Sequence, residues 1–221
     1  MKMLQLIPLC CMCVIVTACS GGSQDVNDTA AEESNPVEVI IGENQADLTV
    51  EDYQALTEQA LDIFNEATPL YRPNRDDVLR WYVRYYIQKH DYNETWTEDD
   101  MFDMAYARQQ YESAWKEYAE REYGIVIADE DIDSRANYNL EVYENALPAS
   151  IIGMSEGLNL SIEEFMLNFD RDYAERALIW EELMPLLEQK YAAAEASRLD
   201  GVYLGRQYKQ EVLNYMQSRH T

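Results

Sequence analysis

Residues 97–124 constrain the fold more than any other part of the chain. Thr97 sets a hydroxyl three residues ahead of the Asp100 carboxylate, a spacing at which each side chain accepts from the other's backbone N–H and starts a helix. Met101, Ala105, Tyr111, Trp115, Tyr118, Ala119 and Tyr123 then recur close to a 3.6-residue period, and Gly124 stands where a left-handed residue ends a helix. The pattern predicts one amphipathic helix over 98–123, roughly 39 Å long at 1.5 Å per residue. An apolar stripe of that length has to be covered by other elements along its whole run.

Most of the remaining chain carries the same kind of signal. Thr49 with Asp52 and Ser161 with Glu164 repeat the starting motif and predict helices over 50–67 and 162–168. The stretch RPNRDDVLRWYVRYYIQKH predicts another, starting near Asn74 and ending with Lys89 and His90 against the negative end of the helix dipole. A last helix is expected from about Asp170 toward Ser218, kinked or divided by Pro185 and weakened at Gly201 and Gly205. Strand-like patterning is confined to the β-branched runs at 37–43 (VEVIIGE) and 125–127 (IVI). The expected class is therefore all-α, mainly helical with one or two short strands, and the chain shows no internal repeat.

Chemistry is narrowed by what the residues leave out. The chain holds 42 acidic against 17 basic residues, a net charge of −25, which repels phosphate backbones and rules against nucleic acid as a partner. Cys10, Cys11, Cys13 and Cys19 are its only cysteines and all lie at the N-terminus, so disulfides, thiolate catalysis and cysteine-bound metals are not expected in the folded part. With His90 and His220 as the only histidines, a Ser-His-Asp triad or a multi-histidine metal site has almost no material. No glycine loop suited to a phosphate is present, GMSEG at 153–157 being weak and set in helical surroundings. No cofactor is expected. The densest acidic stretch, ADEDID at 128–133, matches the first ligand positions of a calcium loop. Such a loop then requires glycine at its sixth position and glutamate at its twelfth, where Ser134 and Leu140 stand. Its carboxylates suit a helix start instead, with Asp129 as the N-cap.

The N-terminus reads as an export signal. Lys2 is followed by an uncharged apolar run too short for a stable membrane span, and Val16-Thr17-Ala18-Cys19 resembles a bacterial lipobox. That resemblance implies cleavage after Ala18 and a diacylglycerol, with palmitate-type acyl chains, on Cys19. Residues 19–36, from the lipidated cysteine through SGGSQDVNDTAAEESNP, hold almost nothing apolar and read as a flexible tether. The division expected is a signal peptide over 1–18, a lipidated tether over 19–36 and a single helical domain over 37–221.

Behind that tether the order of parts is itself informative. VEVIIGE, LTVEDYQAL, a long helix ending AEREYGIVIADEDIDSR, then SEGLNLSIEEFM and RDYAERALIWEELMPLLEQKY follow one another. Together they resemble the N-terminal chaperone domain of the SurA and PrsA type of extracytoplasmic foldases, a trigger-factor-like peptide-binding fold. The resemblance covers roughly residues 37–191 and is strongest in YGIVIADEDID and GLNLSIEEF. It implies a helical bundle that binds unfolded or extended polypeptide outside the cytoplasm, held to the cell membrane through the lipid on Cys19. Two departures stand out: the segment over 65–117 is longer and richer in tyrosine, and no HIL-like strand or GGDLG-like turn of a parvulin isomerase module occurs. The resemblance thus implies a chaperone-like lipoprotein without prolyl isomerase activity and not an enzyme. The alternatives are an envelope lipoprotein with one defined protein partner and an isomerase-related protein. Residue type and position nominate Trp81, Tyr85, Trp115, Met154, Phe165 and Trp180 as the peptide-binding groove.

Overall fold

A computed structural model describes residues 46–67, 73–143, 146–192 and 200–219. Cys19, the tether, the strand-like run at 37–43 and His220 lie outside the described residues. What is described is helical: α1 (Val50–Ala67), α2 (Arg75–Asp91), α3 (Glu98–Tyr123), α4 (Asp129–Tyr143), α5 (Ala149–Gly157), α6 (Ile162–Glu164), α7 (Arg171–Tyr191) and α8 (Gly201–Ser218). α6 runs directly into a wider π-helical turn over Phe165–Phe169. Among the described residues there is no strand, and the chain is of the all-α class.

The helix starts behave as their local sequence dictates. At Thr97 and Ser161 the hydroxyl accepts the N–H of Asp100 or Glu164, and that carboxylate accepts the cap's own N–H in return. Thr49 and Asp52 close the same reciprocal pair, at 2.9 and 3.2 Å. α3 ends at Gly124, whose φ of 71° is the left-handed value a glycine adopts without strain. There the N–H of Gly124 donates to Glu120 and that of Ile125 to Ala119, which uses up orphan carbonyls of the last turn.

Three expectations need correcting. The run at 125–127 is an extended connector with no sheet partner; Ile125 turns into the core while Val126 faces solvent. Asp129 is the first residue inside α4 and Ala128 holds the capping position, its carbonyl accepting from Asp131 and Ile132. The C-terminal helix is two helices, and Pro185 does not divide them, because it lies inside α7. Pro185 is exposed, and α8 starts afresh at Gly201 behind Asp200, whose side chain accepts from the N–H of Tyr203.

Packing follows from α3. Its N-terminal half, with Met101 and Ala105, joins α1, α2 and the π turn in one core built around Phe64, Tyr82, Tyr85 and Phe165. Its C-terminal half, with Tyr111, Trp115 and Ala119, joins α7 and α8 around Leu183, Leu187, Leu204 and Tyr208. α1 lies between α2 and α5, while α4 rests on α7 and the π turn. The crossing of α1 and α5 is close because Gly153 and Gly157 leave room for it. A Cβ on Gly153 would sit 2.4 Å from the Val50 carbonyl oxygen, and one on Gly157 would sit 2.6 Å from the Cβ of Thr57. The spacing first weighed as a phosphate loop is a helix-crossing motif of small residues.

Candidate functional site

α2 presents Arg84 to the side of the first core that faces α7, and the guanidinium is almost wholly enclosed. Its Nη1 donates to Asp172 Oδ2 at 2.6 Å, and its Nη2 donates to Asp172 Oδ1 at 2.8 Å, to Asp170 Oδ1 at 3.0 Å and to the Phe169 carbonyl at 3.2 Å. The planar fork matches the Asp172 carboxylate edge to edge. The rings of Trp81 and Tyr173 lie 4.6 and 4.1 Å from its carbon centre and sheathe its faces. Burial works against the charge on Arg84, but Tyr173 and Asp172 outweigh it and hold the group protonated.

The two carboxylates answer the same surroundings differently. Burial pushes the Asp170 carboxyl up despite the pull of Arg84. Burial also acts on Asp172, yet the paired bonds from Arg84 hold it below the usual carboxylate range. A split of this kind serves acid–base catalysis where two carboxylates flank a substrate. Here both grip one guanidinium and only Asp170 reaches the neighbouring cavity, so the pair has no substrate position between its members.

That cavity, about 620 Å³, opens between α1, α2, α4, α5 and α7. Leu48, Ile87, Ile151, Met154 and Met166 give it an apolar wall, while Asp47, Asp91, Asp170 and Arg84 supply its charges. Tyr53 donates its hydroxyl to Asp91 at 2.8 Å and so fixes one carboxylate at the mouth. Tyr173, Asn139 and Ser150 also line the space, and their side-chain polar groups have no hydrogen-bond partner among the described residues. A ligand-sized volume with an apolar wall and a few convergent polar groups is the usual form of a binding site, for which volumes of about 300–1,000 Å³ are typical.

Two other polar clusters bind helices to each other. Glu112 on α3 accepts from Arg176 at 2.5 Å and lies 2.9 Å from Arg108, whose guanidinium covers Trp81 while Arg176 covers Trp115. This belt separates the two cores. Glu211 on α8 accepts from Tyr123 at 2.6 Å, Lys190 at 2.8 Å, Tyr118 at 3.2 Å and also from Tyr191. Burial opposes its charge and the surrounding donors hold its carboxyl below the ordinary range. With four donors on two oxygens it has no lone pair free for proton abstraction, and it clasps α3, α7 and α8 together.

Of the six residues nominated for a groove, the structure brings only Met154 to the cavity. Tyr85 and Phe165 are fully enclosed in the first core, and Trp81 is covered by Arg84 and Arg108. Trp115 stands edge-on to Tyr208 in the second core, against which Trp180 packs half-buried. The six do not form one surface. The residues that shape the cavity's chemistry, Asp47, Arg84, Asp91, Asn139, Ser150, Asp170 and Tyr173, come from five separate stretches of chain. His90 closes the last turn of α2 against Tyr86, where burial lowers its pKa, and it does not line the cavity.

Among the described residues no group of His, Cys, Asp and Glu side chains is placed to hold a metal ion. No helix among them is long and apolar enough to cross a membrane. No protein-family model, no curated protein and no solved structure matches the chain.

Proposed function

We propose that this chain is a lipid-anchored extracytoplasmic protein that holds short stretches of unfolded or extended polypeptide, a chaperone-like task without prolyl isomerase chemistry. One observation carries the reading: an apolar-walled cavity of about 620 Å³ whose Tyr173, Asn139 and Ser150 lack hydrogen-bond partners among the described residues. An extended peptide offers what such a space needs, apolar side chains for the wall and backbone N–H and C=O groups for the polar atoms. The lipobox-like segment ending at Cys19 and the resemblance to foldase N-terminal domains in YGIVIADEDID and GLNLSIEEF support the place and the class. The test is aggregation of a chemically denatured client followed by light scattering. A several-fold excess of the protein is expected to suppress scattering, and Met154→Asp, which puts a charge on the apolar wall, is expected to weaken that effect. Unchanged scattering at every ratio sinks the reading.

A second reading, an envelope lipoprotein with one defined partner, is favoured by the outer face of α4. Tyr138 and Val142 stand one turn apart there, 60% and 61% exposed, and belong to no core. A photo-crosslinker at 138 giving one discrete adduct, with one at 154 giving none, decides for the partner.

A further inference from the structure

The cavity is charged as well as apolar, and its charges do not balance. Arg84 is met by two carboxylates, so the trio carries an excess of one negative charge. Asp172 takes up both terminal Nη groups of the guanidinium, and the excess falls on Asp170, the member that lines the cavity. Asp170 accepts from Arg84 through Oδ1 alone; its Oδ2 accepts from no described residue. Asp91 and Asp47 add two further carboxylates to the lining, where Arg84 is the only lysine or arginine among the described residues. The first turn of α5, at Ala149 and Ser150, faces the same space and opposes this field with about half a positive charge. Three lining carboxylates and the partnering Asp172 outweigh one guanidinium and one helix end. The apolar wall of Leu48, Ile87, Ile151 and Met154 lowers the local dielectric and strengthens what remains.

We propose that the occupant of this cavity is a polypeptide segment in which an aliphatic or aromatic residue sits beside a lysine or arginine. The apolar side chain lies against Ile151 and Met154, and the cation is placed between Asp170 and the Asp47/Asp91 mouth. Its N–H donors meet the Oδ2 of Asp170, a bond that the described residues leave unmade. This rests on the peptide-binding reading above and adds to it a sequence preference that an apolar cleft alone would not produce. It also separates this cavity from a purely hydrophobic holdase surface, which takes clients without regard to charge.

The experiment uses the full chain in mild detergent, with protein-free micelles as the blank. Three fluorescent decapeptides are titrated, identical except for Lys, Gln or Glu beside a central leucine. The Lys peptide is expected to bind about tenfold more tightly than the Gln peptide, the ratio that one partly desolvated ion pair supplies, with the Glu peptide weakest. Asp170→Asn is expected to bring the ratio of Lys-peptide to Gln-peptide affinity close to one. If that variant does not fold, Asp47→Asn on the exposed mouth is expected to shrink the preference by a smaller factor. The preference of the unaltered protein is also expected to fall as salt rises. Equal binding of all three peptides, or tightest binding of the Glu peptide, overturns the charge inference while the peptide reading stands. Binding of none of them overturns both.

Discussion

Arg84 is the residue on which the most structure converges. Its sequence surroundings, RWYVRYY, announce rings at helical spacing, and that much is legible because period and residue type are local properties. The partners that give Arg84 its meaning, Asp170 and Asp172, lie 86 and 88 positions further along, and no pattern in the sequence links them to it. For the same reason Trp81, Tyr85, Trp115 and Phe165 were nominated for a groove, whereas the fold spends their rings on its cores. Removing Arg84 leaves two enclosed carboxylates without their counter-ion. Arg84→Met, which keeps the bulk and drops the charge, is expected to lower stability by about 3–5 kcal/mol, measured as the shift in urea midpoint at constant slope. Asp172 gives the pH signature of the same cluster. Its native pKa is depressed, so its contribution is fully present above the unfolded carboxylate value of about 3.9 and is lost as pH falls through the lower native one. The destabilisation caused by Asp172→Asn is therefore expected to be largest near neutral pH and to shrink below about pH 4, read from paired unfolding curves. A penalty that grows in acid would contradict the assignment of the depressed group.

At the scale of elements, sequence and structure agree at three helix starts and one helix end, and differ at the start of α4, where Ala128 and not Asp129 holds the capping position. The Thr49–Asp52, Thr97–Asp100 and Ser161–Glu164 pairs set helix starts correctly, and Gly124 sets an end, because the groups that decide are neighbours along the chain. Pro185 misleads only as a divider: its missing N–H and ring clash argue for a break, yet α7 continues through it, with Leu183 and Leu187 on either side buried in the second core. The glycines of GMSEG mislead differently, since a small residue signals a close approach without saying what approaches. Here it is α1, and the crossing also shapes the cavity, because Tyr53 on α1 and Met154 on α5 both line it. Gly153→Val would drive its side chain into the Val50 carbonyl and the Cβ of Tyr53, 2.4 and 2.5 Å away. It is expected to cost at least about 1–3 kcal/mol, with helical circular dichroism retained at low denaturant but an earlier urea midpoint. An unchanged midpoint would mean that α1 and α5 are not packed at this distance.

For the whole molecule, a mainly helical architecture is visible in the sequence from the 97–124 segment together with the helix signals at 49–67, 74–90 and 161–218. Its division into two main cores, beside a small cluster of Ile132, Ala136 and Ala174 where α4 meets α7, is not visible, because nothing local says that the partners of α3 change from α1 and α2 to α7 and α8. The belt of Arg108, Glu112 and Arg176 marks the change, and it consists of charged residues that read as a solvated face until the fold encloses them. This arrangement makes a definite statement about cooperativity. Two cores joined only by a linker would unfold separately, whereas here a continuous 26-residue helix belongs to both, and fraying it in one removes its support in the other. The tryptophans divide conveniently, Trp81 and Trp96 belonging to the first core and Trp115 and Trp180 to the second. Fluorotryptophan-labelled protein followed by fluorine NMR through a urea titration is therefore expected to lose all four native resonances at one midpoint. Loss of the Trp115 and Trp180 signals at clearly lower urea than the Trp81 and Trp96 signals would show that α3 does not couple the cores. The α8 clasp at Glu211 would then be holding a unit that opens by itself.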